Sequence, residues 1–231
     1  MNQEAQTILQ ELEDLSNPSR IKHYQKNNEP EPFFGVMMGP LRKLGKEHAK
    51  KTDLALELWA SKNLDAQLLA IMMMEPNKLS EDDVRNLVAT TQSLTVLDEL
   101  ISKVISKRDD AQSWKEEFLA SDSELMQRLG WGLEVRYIVS KKASQADLEA
   151  IFARIKRELQ TAPELVQWTM NRALVEIGVT YDEWTEACIA LGHELNVLKG
   201  IPVPPGCTSP FAPEWITVAR KNKEARARKQ S

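Results

Sequence analysis

Apolar residues recur along this chain at the three- and four-residue spacing of an α-helix, with one clear stripe in residues 94–105 and another in residues 166–177. Helix breakers are rare in the middle of the chain, which has no proline between Pro76 and Pro163 and no glycine between Gly45 and Gly130. The alternating pattern of a strand is scarce. The pattern therefore predicts an all-α protein with about twelve helices of roughly 8–17 residues.

Serine or threonine precedes several of these stripes, as expected for residues that cap helix N-termini. The helix-start signals are Thr52, Ser80 with Asp83, Ser121 with Glu124, and Thr180 with Glu183. They predict helices that begin at residues 53, 81, 122 and 181.

Many short helices joined by short polar links predict stacked antiparallel pairs, because each pair then buries its apolar face against its neighbours. The pairs fall near residues 52–74, 80–105, 108–138, 144–177 and 180–198. This arrangement is an α-solenoid of HEAT-like pairs, curved, with a concave binding face. A compact bundle without repeats is the alternative.

The chain divides into three predicted parts. Residues 1–199 form the helical-repeat domain. Residues 200–213 hold five of the eleven prolines, which predicts an extended segment. Residues 214–231 form a short helix and a basic tail, which is either disordered or a nonspecific arm for DNA.

Charge is unevenly distributed, although the net charge is only −4. Residues 20–51 hold eight Lys or Arg against three Glu, and residues 220–231 hold six against one. The net charge argues against a strongly basic nucleic-acid binder. The two basic segments still allow an anionic partner.

The longest apolar run is the seven residues Leu68–Met74, far below the roughly 20 that cross a membrane. Only two cysteines occur, and the N-terminus lacks the basic and apolar regions of a signal peptide. We therefore expect a cytoplasmic protein with no membrane partner.

Most active-site signatures are absent from the sequence. The histidines His23, His48 and His193 do not form a zinc-spaced cluster, and there is no glycine-rich phosphate loop and no nucleophile elbow. We expect neither a metal nor an organic cofactor, so any chemistry must come from carboxylates, arginines and aromatic rings.

Five stretches together carry a family resemblance. They are Tyr24–Asn27 followed by Phe34–Lys46, Ala55–Trp59, Ser93–Asp98, Trp114 with Ser121–Arg128, and Val166–Leu174. In this order, over residues 20–195, they resemble the HEAT-like DNA alkylation repair glycosylases.

The resemblance implies a curved solenoid that holds duplex DNA against a basic concave surface and excises N3- or N7-alkylated purines as a monomer. Such lesions are cationic, and a fixed carboxylate can stabilise the oxocarbenium-like transition state of their cleavage. By motif position the catalytic aspartate falls on Asp98 and its partner arginine on Arg128. The structural alternatives are an Asp98 paired with Ser102 or a lysine, and an Arg128 paired with a structural acid.

The sequence departs from the family at its cleft. Leu94 and Arg172 stand where the family has tryptophans, Thr95 replaces a first aspartate, and Trp168 replaces a common lysine. Two functions therefore remain open: a DNA glycosylase for alkylpurines, and a non-catalytic helical-repeat protein that binds branched DNA or a protein partner.

Six residues are predicted to contact DNA: Tyr24, Arg42, Lys43, Lys46, Trp168 and Arg172. Arg42, Lys43 and Lys46 follow the helix-start signal Gly39-Pro40 and suit phosphate, or else form a solvated face. Tyr24, in the first of the five stretches, is a further predicted contact.

Trp168 and Arg172 are four residues apart, opposite the apolar stripe of their own helix. Such a pair can face a nucleic-acid strand. Packing against the next repeat is the alternative.

Overall fold

The computed structural model describes residues 1–204 and 206–230, without the side chains of Lys229 and Gln230. Over these residues it has thirteen α-helices, three single 3₁₀ turns and one isolated bridge between Ser16 and Val36. The all-α prediction is confirmed. Pro205 of the predicted extended segment and Ser231 of the predicted tail lie outside the described residues.

The helices form two compact units, Met1–Ala111 and Gln112–Ser231. The predicted domain 1–199 thus spans the whole first unit and most of the second.

The first unit is built around α5, which packs against α3, α4 and α7. Nine of the ten residues of α5 are buried. The helices of this unit are α1 (Gln3–Asp14), α2 (Pro18–Lys26), α3 (Met38–Glu47), α4 (Thr52–Trp59), α5 (Leu64–Met73), α6 (Glu81–Thr90) and α7 (Leu94–Lys103).

The second unit is built around α11, which packs against α9, α10, α12 and α13. Gly130 lets α9 approach the end of α8 closely, because a Cβ there would lie 2.8 Å from the backbone nitrogen of Leu119. The helices are α8 (Ala111–Leu119), α9 (Glu124–Val139), α10 (Gln145–Glu158), α11 (Glu164–Thr180), α12 (Thr185–Leu195) and α13 (Ala212–Gln230).

One of the four helix-start signals is confirmed. Ser80 and Asp83 form a reciprocal capping box at α6. Thr52 lies inside α4, and its hydroxyl instead accepts a hydrogen bond from the Glu75 amide at 3.0 Å. Two further start signals are wrong because α9 begins after Ser123 and Thr180 is the last residue of α11.

The prediction of a short C-terminal helix is also wrong, since α13 begins at Ala212 and runs for 19 residues. Its first turns are anchored by the buried Ala212 and Ile216. Further along, Arg220 Nη1 lies 2.8 Å from the carboxylate of Asp182, and Lys223 Nζ donates to the Val179 carbonyl at 3.1 Å. These contacts keep helical several residues that the sequence pattern predicts as a basic tail.

A buried carboxylate, Asp65 on α5, ties the first unit together. Its oxygens accept hydrogen bonds from the Tyr24 hydroxyl at 2.8 Å and from the amides of Phe34 at 2.8 Å, Gly35 at 2.7 Å and Val36 at 3.1 Å. Gly35 has φ +80°, and a Cβ there would lie 2.5 Å from Ile21 Cγ1, so this turn requires glycine. We call these four hydrogen bonds the Asp65 clamp. They fix the loop that leads into α3, which begins two residues after Val36.

We expect Asp65→Asn to lower the free energy of unfolding by about 2–4 kcal/mol. The amide that replaces one oxygen turns its own N–H groups toward backbone donors and leaves them unsatisfied. Denaturant unfolding followed by circular dichroism measures the change.

The exposed Asp109 in the same unit supplies the matched control, Asp109→Asn, which we expect to shift stability by less than about 0.5 kcal/mol. Equal stability of the two variants would show that the Asp65 clamp contributes nothing to the fold.

Candidate nucleic-acid interface

Helix α3 presents three cations to solvent. Leu41, Leu44 and Gly45 form its buried face, and a Cβ on Gly45 would lie 2.8 Å from Met72 Cβ of α5. The opposite face exposes Arg42, Lys43 and Lys46. Lys43 Nζ lies 3.8 Å from Glu47 Oε1, a separation at which an exposed pair is weak. The close packing on α5 therefore fixes the direction in which these charges point.

The start of α3 adds positive potential to the same surface. Its N-cap residue, Met37, makes no side-chain capping bond, and a Cβ on Gly39 would meet nothing within 4 Å. The N-terminus of a helix carries partial positive charge from its unpaired amides, which attracts anions such as phosphate.

Tyr24, predicted to contact DNA, is only 1% exposed. Its ring lies 5.2 Å from that of Phe33, and the Arg20 guanidinium sits 4.4 Å above it. Burial, together with the Asp65 carboxylate, raises the pKa of the Tyr24 phenol far above its usual range. A direct contact with DNA does not fit this position, because the hydroxyl is engaged by Asp65 inside the unit.

Helix α7 carries both Leu94 and Asp98 on its accessible side. Ser93 caps the helix by accepting from the Val96 amide at 3.2 Å, and Val96, Leu97, Leu100 and Ile101 are buried. This burial leaves Leu94 40% exposed and Asp98 exposed one turn further along.

Leu94 borders a groove of about 460 Å³ in the first unit. Glu29 lies at one side of it and accepts hydrogen bonds from the hydroxyls of Ser93, at 2.6 Å, and Thr95. The lining also includes Arg20, His23 and Asn27. Leu94, at a position where the resemblance implies a tryptophan, therefore borders an open, largely polar groove.

Arg128 lies on α9 in the second unit and is 5% exposed. Its Nη1 donates to the Leu165 carbonyl at the start of α11, at 3.4 Å. The two residues assigned to catalysis thus belong to different units, Asp98 to the first and Arg128 to the second.

Helices α9 and α11 run side by side in the same direction. The Arg128 contact joins their N-terminal ends, and the Tyr181 hydroxyl after α11 donates to the Ile138 carbonyl near the end of α9 at 3.4 Å. Between residues 168 and 178 of α11, only Trp168, Arg172 and Glu176 are not buried. We call these three residues, together with Arg136 of α9, the α9–α11 seam.

The seam brings charges of both signs close together. Arg172 Nε lies 3.8 Å from Glu176 Oε1. Burial raises the pKa of the Glu176 carboxyl, while the positive charges of Arg172 and Arg136 oppose that rise. Two arginines thus lie near one glutamate at the seam. Trp168 is 41% exposed.

Two residues of these sites, Asp65 and Glu176, are not among those that the sequence pattern singles out. For Asp65 a signal is present, because a single acid inside an apolar helix must be paired once it is buried. Glu176 follows Arg172 by four residues, the spacing of a helical ion pair.

Among the described residues, no three His, Cys, Asp or Glu side chains are grouped so that they could hold a metal ion. No described helix combines the length and the apolarity needed to span a bilayer.

Two curated relatives come from Listeria. The uncharacterized protein Lin0241 of Listeria innocua serovar 6a is 26% identical over 215 residues, which cover 91% of this chain and 94% of the relative. The uncharacterized protein Lmo0209 of Listeria monocytogenes serovar 1/2a is 25% identical over the same length, with the same coverage.

One solved structure matches with a TM-score of 0.82 and 23% identity, over 94% of both chains. It is described as a new family of proteins related to the HEAT-like repeat DNA glycosylases, with affinity for branched DNA structures. This likeness shows a shared fold, so the HEAT-like helical-repeat prediction is confirmed over the compact bundle.

The family comparison extends along most of the chain. The sequence profile of the DNA alkylation repair enzymes matches residues 8–201, from the first helix to beyond α12. This protein therefore belongs to the DNA alkylation repair enzyme family.

Proposed function

We propose that this chain binds DNA and that helix α3 contacts the phosphate backbone. The observation that carries the proposal is the exposed cationic face of α3, with Arg42, Lys43 and Lys46 held on a helix whose other face is packed on α5. Phosphate contacts of this kind supply most of the affinity of a DNA-binding protein and are independent of base sequence.

Branched DNA is the proposed target. The structural neighbour has affinity for branched DNA, and it shares the fold over 94% of this chain. The cleft positions also support a binding role, because Leu94 and Arg172 stand where the family resemblance expects aromatic walls. Arg172 is instead paired with Glu176.

Excision of alkylated purines is the second candidate, and Asp98 favours it. The family membership and the exposure of this carboxylate on α7 are consistent with an electrostatic role. An N3- or N7-alkylated purine is cationic, so it takes the bonding electron pair and leaves as a neutral base, while the sugar acquires positive charge. A carboxylate beside the sugar stabilises that charge before water adds to it.

Replacing Arg42, Lys43 and Lys46 together with alanine should flatten the salt dependence of DNA binding. Each phosphate contact contributes about 0.9 to the slope of log K against log salt, so the loss of three predicts a slope smaller by about 2–3. Fluorescence anisotropy on a four-way junction and on a linear duplex, over a range of salt concentrations, measures it.

Lys78, Lys103 and Lys107 provide a control triple-alanine variant in the same unit, since all three are exposed and the charge change is equal. An identical slope for the α3 variant and wild type would remove α3 as the phosphate contact.

For excision, Asp98→Asn should keep DNA binding and reduce release of 7-methylguanine and 3-methyladenine from alkylated duplex DNA by about a hundred- to a thousandfold. The amide has the size of the carboxylate but lacks the charge that stabilises the sugar cation.

Glu99→Gln, the neighbouring acid on α7, serves as the control and should release free base at the wild-type rate. Undiminished release by Asp98→Asn would refute the catalytic assignment. No release by wild type would leave DNA binding as the function.

A further inference from the structure

Trp168 stands apart from the other tryptophans of the chain. Trp59, Trp114 and Trp131 are 2%, 3% and 1% exposed, and Trp184 and Trp215 are partly buried. Trp168 is 41% exposed on a helix whose residues 169–171 and 173–175 are buried. The exposed part of the indole presents an aromatic face on which a ligand can stack.

The charge next to Trp168 selects the chemistry of that ligand. Arg172 lies four residues beyond it, about 6 Å along the helix axis. Glu176 Oε1 lies 3.8 Å from Arg172 Nε. The Glu176 carboxylate lies beside the Arg172 guanidinium, and Arg136 adds a second positive charge near Glu176 from α9. An aromatic face followed by a guanidinium suits a nucleotide, whose base stacks on the ring and whose phosphate accepts from the arginine.

The base must be unpaired to use this site. In an intact duplex both faces of each base are covered by neighbouring base pairs, so an indole has no face to stack on. Branch points, gaps and strand ends offer bases with a free face.

We propose that the α9–α11 seam is a stacking site for an unpaired nucleobase, with Trp168 as the platform and Arg172 as the contact to the adjoining phosphate. This inference rests on the proposed DNA binding and adds the feature that distinguishes branched from continuous DNA. It assigns base stacking to the second unit and leaves phosphate contact by α3 to the first.

Intrinsic fluorescence of the complete chain tests the stacking directly. The probes are a duplex with a single-stranded thymidine gap, the same duplex without the gap, and a short oligothymidine. We expect the gapped duplex and the oligothymidine to quench tryptophan emission in wild type, and the quench to disappear in Trp168→Phe. Trp184→Phe, which changes a partly buried tryptophan of the same unit, should retain it.

Affinity provides the second measurement. Trp168→Ala should weaken binding of the gapped duplex by about 5- to 150-fold, the range for losing one stacked base, and leave binding of the continuous duplex unchanged. Arg172→Gln should also weaken the gapped duplex selectively. Circular dichroism checks that each variant keeps the wild-type helical content.

The outcomes separate this inference from the proposed function. Wild-type affinity of Trp168→Ala for the gapped duplex, or a quench that persists in Trp168→Phe, overturns the stacking site while DNA binding stands. If Trp168→Ala weakens binding of the gapped and the continuous duplex equally, the stacking site is also overturned. The seam would then not distinguish an unpaired base from a paired one. Failure of wild type to bind any of the probes overturns both.

Discussion

The buried carboxylate of Asp65 is the interaction on which the first unit depends. An ion in an apolar interior is costly unless its oxygens are hydrogen-bonded, and Asp65 satisfies them with one phenol and three consecutive backbone amides. The same bonds hold the loop that leads into α3. The direction of the cationic face of α3 thus depends on a side chain that does not itself reach solvent.

This clamp explains why several residues of the first of the five family-like stretches, Tyr24–Asn27 followed by Phe34–Lys46, are needed. Tyr24 supplies the phenol, Gly35 supplies a backbone that only glycine adopts without strain, and the amides of Phe34 to Val36 supply the donors. In this chain these residues therefore meet a structural requirement. The residues proposed to meet DNA are different ones, on α3 and in the α9–α11 seam.

The helical fold could be predicted from the sequence because apolar periodicity reports which face each helix buries, and every helix of the core must bury one. Capping residues were less informative. Ser80 has Asp83 to complete a capping box. The Thr52 hydroxyl instead accepts a hydrogen bond from the amide of Glu75, 23 residues away. The length of α13 likewise depends on contacts with Asp182 and Val179, which lie far away in the sequence.

The candidate site was predictable in part, for the same reason. A cationic helix face is a local property, so the exposure of Arg42, Lys43 and Lys46 follows from the pattern around them. The pairing of Arg172 with Glu176 is local as well, at the spacing of a helical ion pair. The burial of Tyr24, in contrast, depends on Asp65, which is 41 residues away. Tertiary contacts of this kind leave no periodic trace in the sequence.

Amide hydrogen exchange of the complete chain, with and without a four-way DNA junction, tests the proposed DNA contacts most directly. We predict slower exchange in the bound state across α3, residues 38–47, and across residues 165–176 of α11. Helix α6, which begins with Glu81, Asp82 and Asp83, should exchange at the same rate in both states. Unchanged exchange across α3 in a saturated complex would contradict the assignment of that helix as the phosphate contact.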